Sequence, residues 1–183
     1  MSYFMVLRVS FAALGLAMFA VADAQISTPP RTTADYVNAL GVGLSYGEQN
    51  DKDADFWGWS ADYSRWLSRR WVLGLTLAWD EETERRIAQP DKVVRSYTVI
   101  GQVSYNLTPQ FSLTTGLGQE IAADDNASGT MKFKNGDVST GLALGYTWPL
   151  STRNSLGMSL AYEYNISESE TSISVDVTFG WSF

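Results

Sequence analysis

Beyond the polar stretch around Pro29 and Pro30, apolar residues return at every second position. That period of two dictates β-strands with two chemically different faces. Residues 71–80 show it most cleanly: Trp71, Leu73, Leu75, Leu77 and Trp79 alternate with Val72, Gly74, Thr76, Ala78 and Asp80. Residues 39–46 set Leu40, Val42, Leu44 and Tyr46 against Ala39, Gly41, Gly43 and Ser45. The same alternation fills 57–64, 96–107, 111–121, 138–148, 156–166 and 173–183, which makes eight predicted strands. Pro90, Pro109 and Pro149 fall at strand ends or between strands, where a missing N–H costs no ladder bond.

The connections differ systematically in length. Ser68-Arg69-Arg70, Thr108-Pro109-Gln110 and residues 151–154 are short, whereas 47–54, 80–92 and 122–135 are longer and charged; 167–170 is the shortest on that side. Short periplasmic turns on one rim and longer extracellular loops on the other are expected of an all-β, eight-stranded, antiparallel up-and-down transmembrane barrel.

Alternation alone does not tell such a barrel from a soluble lipocalin-like one, which turns its apolar face inward. The polar face separates them. A water-exposed sheet carries many Lys, Glu and Arg, but here that face is mostly Gly, Ser, Ala and Thr, and Arg65 and Arg95 sit near predicted strand ends. Small side chains fit the inside of an eight-stranded barrel, which leaves little more than room for side chains. Large ones then meet lipid. Aromatics collect near both ends of the strands, with Tyr46, Trp57, Trp59, Trp79, Tyr97, Tyr162 and Tyr164 towards the long loops. Trp71, Tyr105, Phe111, Trp148, Trp181 and Phe183 lie towards the short turns, which predicts two interfacial girdles. Backbone groups in hydrocarbon must all be paired, so the last strand has to close on the first.

Composition narrows the chemistry. The 183 residues include neither cysteine nor histidine, which excludes disulfides, thiolate sites and Ser–His or Cys–His catalysis. The formal net charge of −7 supplies no basic stripe for nucleic acid. Residues 1–24 read as a cleaved signal peptide for export to the cell outer membrane. Arg8 precedes an apolar run too short to span a bilayer, and Ala22-Asp23-Ala24 gives a small-x-small cleavage pattern. The expected organisation is thus a signal peptide (1–24), a periplasmic N-terminal segment (25–34) and the barrel (35–183).

With these features the chain resembles the small eight-stranded outer-membrane barrels of Gram-negative bacteria, the group of the outer membrane protein A transmembrane domain and the opacity and X-type proteins. The resemblance covers essentially the whole mature chain, Gln25 to Phe183, and its most specific mark is the final run Val175-Asp176-Val177-Thr178-Phe179-Gly180-Trp181-Ser182-Phe183. Alternating aromatics with a terminal phenylalanine resemble the signal read by the barrel-assembly machinery, which gives Phe179, Trp181 and Phe183 that implied role. The chain ends at that signal, so the resemblance implies no peptidoglycan-binding domain and no cell-wall tether. It also implies lipid and lipopolysaccharide as surroundings. The lipid A deacylases and palmitoyltransferases of similar architecture use histidine with serine, a site that cannot be assembled here.

By parity, Asp62, Asp80, Glu120, Glu163 and Asp176 face the lumen, and no inward Lys or Arg pairs them. Buried carboxylates without cations require water, cations or protons. The lumen is therefore expected to be hydrated and acidic, preferring cations if it conducts; the alternatives are a closed, water-filled plug, or Arg65 or Arg95 reaching inward through a bulge. Asp80 with Glu120 is the best carboxylate pair for acid–base chemistry, but nothing supplies a nucleophile or an orienting partner, and no catalytic, cofactor or metal site is expected. Asp51-x-Asp53-x-Asp55 matches the opening of a calcium loop, yet Phe56 stands where that loop needs glycine. The run Asp80-Glu81-Glu82-x-Glu84-Arg85-Arg86 reads as a binding patch or a soluble tip. The three Asn-x-Ser/Thr matches, at Asn106, Asn126 and Asn165, read as accidental in a bacterial barrel. The expected role is structural or surface-interacting, with any external ligand meeting loops 47–54, 80–92 and 122–135. A small cation-preferring pore is the second reading, and a carboxylate lipid-modifying enzyme the third.

Overall fold

The computed structural model describes residues 38–50, 54–85, 90–124, 132–133 and 136–183. The signal-peptide and N-terminal segments read from the sequence lie outside these residues. Strands β1 (Asn38–Gln49), β2 (Ala54–Trp66), β3 (Trp71–Glu84), β4 (Lys92–Asn106) and β5 (Phe111–Asp124) are followed by a two-residue strand, β6 (Lys132–Phe133). Strands β7 (Val138–Pro149), β8 (Asn154–Asn165) and β9 (Glu170–Ser182) complete the sheet. All neighbours are antiparallel, and β9 returns to pair with β1, so the eight long strands form a closed barrel. The seam is fastened at its end by Phe183, whose amide donates to the Asn38 carbonyl across 3.0 Å.

Register fixes the barrel's dimensions. One row of partners runs Ala39, Ser64, Gly74, Gln102, Gly116, Gly141, Glu163, Ser172 and then Gln49, ten residues further along β1. With a rise of about 3.3 Å per residue and strands about 4.8 Å apart, that stagger tilts the strands by roughly 40°. The backbone radius is then about 8 Å, a bore that side chains can fill.

The molecule is built inside out. Leu44 is 65% exposed, Leu117 63% and Val42 61%, and no large side chain is fully buried among the described residues. The buried hydrophobic residues are the small Ala54, Val72, Ala122 and Ala123. An apolar belt of this extent, on a sheet with no free edge, is the surface of a chain solvated by acyl chains. Aromatic rings bracket it: Trp57 packs edge-on against Trp79 at 5.1 Å towards the long loops. Towards the short turns, Trp71 meets Tyr105 at 4.9 Å, and Tyr146, absent from the sequence-predicted girdle, joins Phe111 to Trp148.

Three expectations are corrected. The long loops are shorter than the sequence implies: β1 runs to Gln49, β2 starts at Ala54, β3 runs to Glu84 and β4 starts at Lys92. Beyond the lipid the outer face no longer needs apolar residues, so the alternation stops while the hydrogen-bond ladder continues. Arg95 consequently lies within β4, and Asp55 and residues 80–84 lie in strands. Within the 122–135 segment, Lys132 and Phe133 pair with Ala123 and Ala122. Finally, Ile121 is an inserted residue: Thr98 partners Glu120 while Tyr97 partners Ala122, a β-bulge that ends the phase of β5.

Candidate functional site

The bore is lined by the small-residue face of every strand, with a polar network at its middle. Thr76 Oγ1 donates to Asp62 Oδ1 at 2.6 Å, and Ser60 Oγ donates to Asp62 Oδ2 at 3.1 Å. Gln102 Nε2 donates in turn to Thr76 Oγ1 at 3.3 Å. Across β8 and β9, Ser159 Oγ donates to Asp176 Oδ2 at 3.0 Å. Hydroxyl donors rather than cations thus satisfy these two carboxylates.

Glycine makes the remaining space. Asp80 partners Gly58 across β2 and β3, and its carboxylate occupies the place a β-carbon on Gly58 would take. Gln102 uses Gly74 in the same way: a β-carbon there would come within 2.6 Å of Gln102 Cγ. Glu163 lies opposite Gly141, and Glu120 lies against Gly136, whose amide donates to the Glu120 carbonyl at 3.0 Å. Asp80, Gln102 and Glu163 therefore each have a cross-strand glycine beside them, a pairing that becomes visible only once register is known.

The sequence-predicted acids are only partly assembled. Asp80 is close enough to Glu163 and Asp176, and Asp176 to Asp62 and Glu163, for their negative charges to repel. Glu120 lies against Gly136 and is carried by β5, with β4 between it and the β3 strand of Asp80. No group of three or more Asp and Glu residues fit to hold a metal ion occurs among the described residues.

Neither candidate arginine reaches the lumen. Arg95 Nε donates to Glu81 Oε2 at 2.7 Å on the outer face, and Trp57 Nε1 donates to Glu81 Oε1 at 3.4 Å. Arg65 shares the parity of Tyr63 and is exposed on the outside. Lys92 corrects the expectation of no inward cation: it partners Glu84 on the lumen-side parity, at the far end of the extended hairpin.

Phe56, read from the sequence only as the residue spoiling a calcium loop, sits at the outer mouth. It partners Gly47, and a β-carbon at 47 would come within 2.6 Å of Phe56 Cε1 and 2.5 Å of the Ile173 carbonyl. Asp55 is a strand residue paired with Arg85, while Asp51 and Asp53 lie outside the described residues. Beside the mouth, Asn165 Oδ1 accepts from the amides of Ser167 and Glu168, an Asx turn that employs the asparagine of one Asn-x-Ser match.

No family model and no curated protein matches this chain. Solved structures do. Neisserial surface protein A superimposes with a TM-score of 0.57 at 11% identity, covering 81% of this chain and 97% of its own. The outer membrane protein OprG of Pseudomonas aeruginosa superimposes with a TM-score of 0.53 at 13% identity, covering 81% and 96%. At such identities the likeness is one of architecture: the chain has the fold of the small eight-stranded outer-membrane β-barrels.

Proposed function

We propose that this chain is an integral barrel of the bacterial outer membrane with a non-enzymatic, structural or surface-interacting role. The observation that carries the reading is the closed barrel with a continuous exposed apolar belt between two aromatic girdles. The charged extensions of β1 to β5 are the surface on which an external ligand would act, and the neighbouring medium is lipid and lipopolysaccharide. Phe179, Trp181 and Phe183 are proposed as the mark read by the assembly machinery; the first two are exposed on the outer face. Fractionation with heat-modifiable gel mobility tests the location. Recovery in the outer-membrane fraction with a folded band is expected, and a monodisperse protein in detergent-free buffer overturns it.

A cation-preferring pore is the second reading, favoured by one observation. Between the girdles the inward-facing positions of the described strands carry Asp62, Asp80, Glu163 and Asp176 and no Lys or Arg. Planar-bilayer recordings decide it: cation-selective steps support the pore, and silence or anion preference rejects it.

A further inference from the structure

The rim that carries the short turns has a charge opposite to that of the whole chain. Residues 38–43, 64–74, 102–114, 145–158 and 178–183 contain no Asp or Glu, yet they hold Arg65, Arg69, Arg70 and Arg153, in a protein of net charge −7. None of these arginines forms an ion pair among the described residues. Two of them line an open cleft of about 690 Å³ between the first short turn and β4, together with Leu67, Ser68, Trp71 and Tyr105.

Within the cleft the polar groups are oriented. Arg70 Nη1 donates to Tyr105 Oη at 2.7 Å, and its guanidinium carbon lies 5.9 Å from the centre of the Tyr105 ring. Tyr105 is in turn held edge-on by Trp71. Since Tyr105 Oη accepts from Arg70, its own proton is available to donate outward. Ser68 Oγ accepts from the amides of Arg70 and Trp71, which leaves its hydroxyl proton available as well. Two unpaired guanidinium groups, a phenol and a serine hydroxyl thus surround one space whose outer wall is the apolar girdle.

We propose that this cleft binds the phosphodiester headgroup of an anionic glycerophospholipid in the leaflet facing the short turns. Guanidinium forks match phosphate oxygens, and the fixed geometry of Arg70 reduces the ordering cost. Trp71 and Leu67 then lie where the upper acyl chain begins, so a lipid satisfies the whole cleft, whereas a soluble phosphate satisfies only its polar half. The assignment of the leaflet rests on the outer-membrane reading; the lipid preference does not.

The test uses the full chain, folded and purified from membranes in a neutral detergent, with folding checked by heat-modifiable mobility. Native mass spectrometry follows titration with phosphatidylglycerol or phosphatidylcholine of identical acyl chains. Selective retention of phosphatidylglycerol is expected, falling roughly fivefold for each arginine neutralised in R69Q and R70Q. Y105F, which frees Arg70, weakens retention without changing charge. R65Q/R153Q removes the same charge from the same rim and leaves the preference largely intact. Equal loss in R69Q/R70Q and R65Q/R153Q means diffuse attraction and overturns the site. Equal retention of the two lipids, or displacement by glycerol phosphate at concentrations comparable to the lipid, overturns it too. Failure of the fractionation assay refutes the location and leaves this measurement standing.

Discussion

The carboxylate of Asp80 fills the space above Gly58, its cross-strand partner, and the missing β-carbon at 58 is what admits it. A methyl group there also approaches the Trp79 carbonyl to 2.5 Å, so the position is crowded by side chain and backbone together. Gly58→Ala is therefore expected to destabilise the barrel by about 1–3 kcal/mol, as overpacking does. Urea unfolding from lipid vesicles reads the change. In an Asp80→Ala background the penalty shrinks, giving a coupling of about 0.5 kcal/mol or more in the double-mutant cycle. Zero coupling would assign the whole cost to the Trp79 carbonyl and remove the carboxylate from its seat.

Phe56 closes the outer mouth in the same manner, its ring laid over Gly47. Truncation to alanine opens that space while leaving the ladder between β1 and β2 intact. Because the ring is only half buried, the expected cost sits below the values of about 3–5 kcal/mol seen for core Phe→Ala changes. Faster hydrogen exchange at the amides around Gly47 and Gly58, with exchange near the short turns unchanged, would mark Phe56 as the wedge. Unchanged exchange at the mouth argues that other side chains exclude water there.

What the sequence revealed and what it hid have one physical cause. Apolar alternation records contact with lipid, so Leu40 to Tyr46 and Trp71 to Trp79 were legible as strands, with the outward face correctly chosen. Above the girdle that record stops, and Glu81 to Glu84 read as loop although their backbone pairs with β2 and β4. Arg85 and Arg95 find their acids across strands, at Asp55 and Glu81, a relationship set by register rather than by spacing. The bulge at Ile121 was likewise hidden, since one inserted residue leaves no compositional trace. Asp62, Asp80, Glu163 and Asp176 were placed by parity alone, but their glycine and hydroxyl partners are set by the register of the closed barrel.

The orientation of the two faces makes a sharp prediction at Leu44, which lies mid-strand and is 65% exposed. Leu44→Arg is expected to cost about 2–4 kcal/mol in lipid, the depth-dependent penalty for a cation facing acyl chains. Ile166→Arg, in the turn beyond the girdle and 49% exposed, should cost about 0–1 kcal/mol. Urea titrations in vesicles give both values. Equal penalties at the two positions would mean that the belt does not face hydrocarbon.

The three short turns share one construction, and the sequence announces it as Leu67-Ser68, Leu107-Thr108 and Leu150-Ser151. In each, the leucine amide donates to the carbonyl four residues on, at 2.9 Å. The hydroxyl then accepts from the amides two and three residues further along: Arg70 and Trp71, Gln110 and Phe111, Arg153 and Asn154. The carbonyls of Arg70, Gln110 and Arg153 accept in turn from Asn106, Thr147 and Ser182 on the next strand, so each turn is stitched to its neighbour. Removing one hydroxyl frees two turn amides at a water-accessible rim, which should cost about 0.5–1.5 kcal/mol per turn. S68A, T108A and S151A are expected to lower the urea midpoint by similar amounts, and their effects should add because the turns share no side-chain partner. A much larger loss at Thr108, where Pro109 already restricts the turn, would show that the hydroxyl sets the conformation of the chain reversal rather than merely satisfying it.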